Sequence, residues 1–97
     1  FITCFDGQQL VRDLPKTEVY VGRTTTRQTV DLDLNPDTSV SRVHARIWFQ
    51  GDVAWIEDLG SSYGTKVNGH PVTVPQTLAS TDTIQLGQTM LTIEQRP

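Results

Sequence analysis

Turn signals interrupt this chain at short intervals, and no stretch between them holds apolar residues at i, i+3, i+4 and i+7 for the length of a helix. Between the breaks, threonine and valine abound, and their branched side chains suit a pleated, half-buried surface. Phe1–Phe5 runs into Asp6-Gly7, a strong hairpin turn, and Gln9–Asp13 stops before Pro15. Glu18–Val21 leads into Gly22, and Val30–Leu34 ends at Asn35-Pro36-Asp37. Val43–Phe49 gives the clearest strand, with Val43, Ala45, Ile47 and Phe49 on one face and His44, Arg46 and Trp48 on the other. Gln50-Gly51-Asp52 turns the chain into Val53–Glu57. Thr65–Val67 meets a second hairpin signal at Asn68-Gly69, and Pro71 and Pro75 bracket a short edge-like segment. Thr83–Leu86, Gly87-Gln88 and Thr89–Glu94 make a last hairpin with Leu91 and Ile93 inward. Many short strands at regular spacing predict an all-β sandwich or barrel, with Trp48 and Trp55 as packing or rim residues.

Ninety-seven residues suit a single domain with one compact core, and the start at Phe1 reads as a piece excised from something longer. No apolar run approaches the roughly 20 residues that span a bilayer, so no membrane association is expected. The net charge of −3 tells against nucleic acid as a partner, since proteins that neutralise a phosphate backbone are usually basic. It also means that any anion site must be local, made by a few converging groups. Cys4 is the only cysteine, which excludes a disulfide framework and a thiolate metal site and fits an intracellular location, cytoplasmic or nuclear.

One chemistry stands out. Gly22-Arg23, Ser41-Arg42-Val43-His44 and the run Asp58–Gly69 put two arginines, several hydroxyls and four glycines on turns between strands. A phosphate monoester carries close to two negative charges and three strong acceptor oxygens at neutral pH. Arginine matches it with a planar fork of donors that stays charged, serine adds a small adjustable donor, and glycine lets backbone N–H groups approach. With no helix N-terminus on offer, the arginines must supply the positive charge. A scaffold of strands can hold such loops rigidly at one end.

The order Gly22-Arg23, Ser41-Arg42-x-His44, Ser61-Ser62-Tyr63-Gly64-Thr65 and Val67-Asn68-Gly69 resembles the forkhead-associated (FHA) domain, and Asp82–Gly87 looks like that family's penultimate hairpin. The resemblance runs from Val19 to Ile93. It implies a β-sandwich of about eleven mostly antiparallel strands with binding loops at one end, taking up a phosphothreonine-containing protein or peptide, in trans or from the parent chain. No cofactor is implied. By position, Arg23 would meet the phosphate or the adjoining peptide backbone, and Ser41 would donate its hydroxyl to a phosphate oxygen. Arg42 would bind the phosphate or the peptide main chain. Ser62 would supply a hydroxyl or a main-chain N–H, with Ser61 its alternative if the register slips by one. Thr24, Ser61, Tyr63 and Asn68 are the further peptide-contact candidates. Gly22, His44, Gly64 and Thr65 would be structural, with His44 bracing the loop that presents Ser41. The residue before Gly64-Thr65 is usually asparagine in the family and holds the peptide main chain; here it is Tyr63, so that amide contact is gone.

Other functions are weaker on the same residues. Gly60-Ser61-Ser62-Tyr63-Gly64 matches the G-x-S-x-G nucleophile elbow of serine hydrolases, with His44 and Asp58 as conceivable partners. The elbow needs a strand, a sharp turn and a helix, whereas Thr65–Gly69 reads as strand and hairpin. His44 and His70 lack the spacing of paired metal ligands, and Asp31, Asp33 and Asp37 lack the glycine and closing glutamate of a calcium loop. A phosphate-independent FHA-like scaffold or oligomerisation domain is the alternative that Tyr63 favours; no residue pattern fixes an oligomeric state.

Overall fold

A computed structural model of the chain describes residues 2–6, 9–14, 17–27, 29–35 and 37–95, with side chains from Thr17 to Glu94. Phe1, Gly7 of the first expected turn, Pro15 and Pro36 lie outside the described residues. Eleven strands follow in chain order: β1 (Ile2–Asp6), β2 (Gln9–Leu14), β3 (Glu18–Gly22), β4 (Leu32–Asp33), β5 (Val43–Gln50), β6 (Val53–Asp58), β7 (Thr65–Val67), β8 (His70–Pro71), β9 (Gln76–Leu78), β10 (Ile84–Leu86) and β11 (Thr89–Gln95). Nine of them are three residues or longer.

They form two sheets. One has the order β2-β1-β11-β10-β7-β8, the other β4-β3-β5-β6-β9. Every pairing is antiparallel except β3 with β4. The core is a single cluster between the sheets: Val19, Val21, Ala45, Ile47, Ala54, Ile56 and Leu78 from one, and Val67, Ile84, Leu86, Leu91 and Ile93 from the other. The expected all-β sandwich is thus the fold. No helix among the described residues is long and apolar enough to cross a membrane.

Side-chain chemistry explains where the strands fall short of their pattern. Val30–Leu34 alternates like a strand, yet only Leu32–Asp33 pairs. The aspartates take backbone donors that a ladder would use: Asp31 accepts the Tyr20 N–H at 2.8 Å, and Asp33 accepts those of Thr24 and Asn35 at 3.2 and 3.0 Å. The segment around the prolines resolves into two edge strands, β8 holding Pro71 and β9 beginning just after Pro75. On the outer face of β5 and β6, Trp48 and Trp55 stack with centroids 6.1 Å apart. The Arg46 guanidinium lies 4.1 Å from the Trp48 ring centroid and pairs with Glu18 and Glu57.

The alternation of β5 fails at one residue. His44 shares the side of Arg46 and Trp48 but is fully buried. The β3–β5 register shifts there, from Val21 opposite Ala45 to Gly22 opposite Val43, and the chain beyond β5 folds over this end of the sheet.

A two-loop cradle braced by His44

The loop between β4 and β5 and the loop between β6 and β7 meet at this end of the sandwich. Ser41 Oγ accepts the backbone N–H of Ser62 at 3.0 Å, so the hydroxyl of one loop fastens the other. Behind this contact, His44 Nδ1 accepts the Ser41 N–H at 3.0 Å, and Nε2–H donates to the Gly64 carbonyl at 2.8 Å. These partners fix the tautomer and leave neither nitrogen free. The ring is a strut between the Ser41 N–H on one loop and the Gly64 carbonyl on the other.

Arg23 closes the first loop from the side. Its backbone N–H donates to the Arg42 carbonyl at 3.1 Å, and its Nε–H donates to the Val40 carbonyl. Its terminal amino groups make no hydrogen bond among the described residues. The close approach depends on Gly22: a Cβ there would stand 2.1 Å from the Arg42 carbonyl oxygen, a backbone atom that cannot turn aside. Arg42 itself is exposed.

The second loop is shaped by Asp58. Its carboxylate accepts the N–H groups of Gly60 and Ser61 at 3.1 Å each, the Ser61 hydroxyl, and the Thr65 hydroxyl at 2.7 Å. Burial pushes this carboxyl up, but the bonds from Ser61 and Thr65 outweigh it and hold it below the ordinary carboxylate range. Thr65 is buried, and its hydroxyl is one of these donors.

The structure brings Arg23, Ser41 and Ser62 onto contiguous backbone. Ser62 has given its N–H to Ser41, which leaves its hydroxyl. Ser61 and Asn68 are turned to other work. Ser61 commits both its donors to Asp58. The Asn68 amide donates to Asp82 at 2.8 Å and accepts the Thr83 N–H at 3.0 Å, tying the β7–β8 turn to the approach to β10. Thr24 is woven into its own loop through Asp33, Val30 and Asn35. Tyr63 is 72% exposed and has no hydrogen bond among the described residues, so its ring stands at the rim.

Two supporting residues carried no weight in the sequence reading. Asp37 accepts the Ser39 N–H at 3.0 Å and the Ser39 hydroxyl, then reaches across to the Gln88 N–H at 2.9 Å and the Thr89 hydroxyl at 2.7 Å. The Ser39 hydroxyl bond leads in holding its carboxyl down to about 2. Asp58 was considered only as a hydrolase partner. The local signal existed for both, an aspartate two or three residues before a serine on a turn; the reach to Gln88 and Thr89 had none.

With this geometry in hand, the comparisons are specific. The FHA domain family model matches residues 19–87. The FHA domain-containing protein FhaA of Mycobacterium tuberculosis is 47% identical over 58 residues, 60% of this chain and 11% of FhaA. Protein FraH of Nostoc is 42% identical over 57 residues, 56% of this chain and 20% of FraH. The chain therefore spans a minor part of the length of these curated relatives. A structure solved in an analysis of phosphothreonine-dependent FHA domain interactions superposes with a TM-score of 0.80 at 36% identity, covering 99% of this chain and 97% of that one. The FhaA FHA domain complexed with the intracellular domain of Rv3910 superposes with a TM-score of 0.77 at 35% identity, covering 96% and 97%.

Proposed function

The chain belongs to the FHA domain family, and from that premise we propose that it is a non-catalytic module that binds phosphothreonine peptides through the two-loop cradle. Arg23, Ser41, Arg42 and Ser62 contact the phosphate, and Tyr63 borders the peptide. The module recruits a phosphorylated signalling partner inside the cell, or docks a phosphorylated segment of its own parent protein.

The observation that carries this reading is the Ser41–Ser62 contact. Ser41 uses a lone pair of its oxygen to hold the second loop, so its hydroxyl hydrogen is left for an acceptor outside. Ser62 is held against it through its N–H with its own hydroxyl uncommitted among the described residues, and the terminal amino groups of Arg23, whose Nε–H is fixed on the neighbouring Val40 carbonyl, make no hydrogen bond among those residues. Donors without acceptors, held on fastened loops, suit a ligand that brings only acceptors. The phosphothreonine-dependent interactions of a relative at 36% identity support the same ligand class. His44, by contrast, has both ring nitrogens committed to backbone atoms, which leaves neither to activate a nucleophile. With a net charge of −3, long-range steering of an anionic peptide is weak or adverse, and affinity rests on these short-range bonds.

The test is a titration of one peptide in two forms, with threonine phosphorylated and unmodified. Binding of the phosphorylated form alone, lost in Arg23→Ala and Ser41→Ala with folding retained, is the expected result. Equal binding of both forms overturns the proposal and favours the phosphate-independent scaffold, for which the free, exposed ring of Tyr63 in place of an amide is the supporting observation.

A further inference from the structure

A cleft of about 310 Å³ opens directly beside the cradle. Its walls come from both loops and from the far hairpin: Ser39, Tyr63 and Gly64 on one side, Lys66, Gln85 and Gln88 on the other. Gly64 and Tyr63 follow Ser62, and Ser39 precedes Ser41 by two residues, so a peptide anchored by its phosphate at Ser41 and Ser62 must pass this opening in one direction. The volume lies at the lower end for ligand pockets, which fits one or two side chains and not a whole small molecule.

Its chemistry is one-sided. Lys66 stands on β7 directly opposite Gln85 on β10, on the exposed surface of that sheet. Among the described residues Lys66 makes no ion pair; the pairs there belong to Arg46 on the other sheet. The Gln88 side chain and the Tyr63 hydroxyl likewise have no hydrogen-bond partner among the described residues. Among the described residues that line the cleft there is no carboxylate. Asp37 reaches the backbone of the lining residue Gln88, and its oxygens are taken by Ser39, Gln88 and Thr89. A cation and uncommitted donors thus line a cleft that adjoins a phosphate site, in a protein of net negative charge.

We propose that this cleft selects phosphothreonine segments carrying an aspartate or glutamate on the flank that crosses Tyr63, with Lys66 pairing to that carboxylate and Gln88 and Tyr63 donating to it. The proposal rests on the phosphopeptide reading above and names the sequence class which that site prefers. The pair is partly exposed, so its contribution is modest, about two- to fivefold in affinity at low salt, and it weakens as salt rises.

The experiment uses the 97-residue chain and short serine–alanine peptides with a central phosphothreonine and one glutamate, glutamine or lysine placed at each flanking position in turn. Wild type, Lys66→Gln and Lys66→Glu are compared by fluorescence anisotropy. One flank position is expected to favour glutamate over glutamine in the wild type; Lys66→Gln removes that preference and Lys66→Glu inverts it toward lysine. Lys66 is exposed on a strand, so thermal stability stays near wild type and the three proteins remain comparable. No acidic preference at any position, or a preference unchanged in Lys66→Glu, overturns the proposal while leaving phosphate binding standing. Failure of the phosphorylated set to bind better than unphosphorylated controls instead removes the phosphopeptide reading itself.

Discussion

Ser41 Oγ accepts the Ser62 N–H at 3.0 Å, so a single hydroxyl joins the two loops while its own O–H makes no hydrogen bond among the described residues and is left as a donor. Ser41→Ala removes both roles. The Ser62 N–H it releases lies on an exposed residue, where water replaces the lost acceptor. Affinity for a phosphothreonine peptide should fall by roughly ten- to a hundredfold, the scale of one charge-assisted hydrogen bond. Melting temperature should hardly move. Calorimetric titration beside a thermal melt checks both, and a large loss of stability would show the hydroxyl to be structural instead.

Arg23 gives only part of its guanidinium to the protein. Nε–H holds the Val40 carbonyl, and the terminal amino groups remain. Lysine keeps the charge but cannot make both sets of bonds, because its ammonium is a single point on a flexible stem. Arg23→Lys is therefore expected to lose about tenfold or more in phosphopeptide affinity, although the net charge is unchanged. Near-wild-type binding by Arg23→Lys would mean that the site needs a charge and not a fork.

These positions show what the residues expressed in advance. The sandwich was legible because turn chemistry is local: Asn68-Gly69, Gly87-Gln88 and Gln50-Gly51-Asp52 each end a run with β-type alternation, and each lies between strands in the structure. The cradle was legible through the order of its motifs. Less visible were the bonds with large sequence separation. Nothing near Asp37 announces that Gln88 and Thr89, 51 and 52 residues on, will occupy its carboxylate. Ser61 and Ser62 are chemically alike and adjacent, so only the position of Asp58 relative to the turn decides which hydroxyl is spent inside. Alternation put His44 on the face it shares with Arg46 and Trp48; the register shift beside Gly22 and the loop above it bury that end of the face.

His44 is fully buried and bridges the Ser41 N–H and the Gly64 carbonyl. His44→Ala leaves a cavity and two unpaired groups, a cost of about 3 kcal/mol or more. In a domain of this size that lowers the melting temperature by roughly 10 °C or more. Phosphopeptide affinity should fall as well, since Ser41 and Ser62 lose their common strut. A variant that melts like the wild type would deny the bracing role.

Gly22→Ala tests the seat of the first loop. The added Cβ would stand 2.1 Å from the Arg42 carbonyl oxygen, so the backbone bearing Ser41 and Arg42 must move away from β3. The Arg23 N–H bond to that carbonyl stretches with it. Loss of both stability and phosphopeptide binding is expected, whereas alanine at Gly51, where nothing stands within 4 Å of the new Cβ, should leave binding untouched. Amide chemical shifts of Arg23 and Arg42 would report the displacement directly.

Asp37 couples the cradle to the far hairpin, and pH reads that coupling. Hydrogen bonds led by the Ser39 hydroxyl lower its pKa from an ordinary 3.8 to about 2. A carboxyl depressed in the folded state contributes stability that is fully present above its unfolded value and is lost as pH falls through the folded one. Its share is therefore intact at pH 5 and disappears between about 4 and about 2. Asp37→Asn keeps the shape but not the charge, and an amide that presents one acceptor oxygen cannot serve the Ser39, Gln88 and Thr89 donors together. The variant should melt below the wild type at neutral pH and close that gap as pH falls through the window. Ser39 would also be less firmly held against Gly87, whose lack of a side chain admits it: a Cβ there would come within 2.4 Å of the Ser39 hydroxyl. Phosphopeptide affinity should drop a few-fold in Asp37→Asn, through the neighbouring Ser41. A wild-type and variant pair whose melting curves stay parallel from pH 5 to pH 2 would show that this carboxylate does not hold the hairpin to the loop.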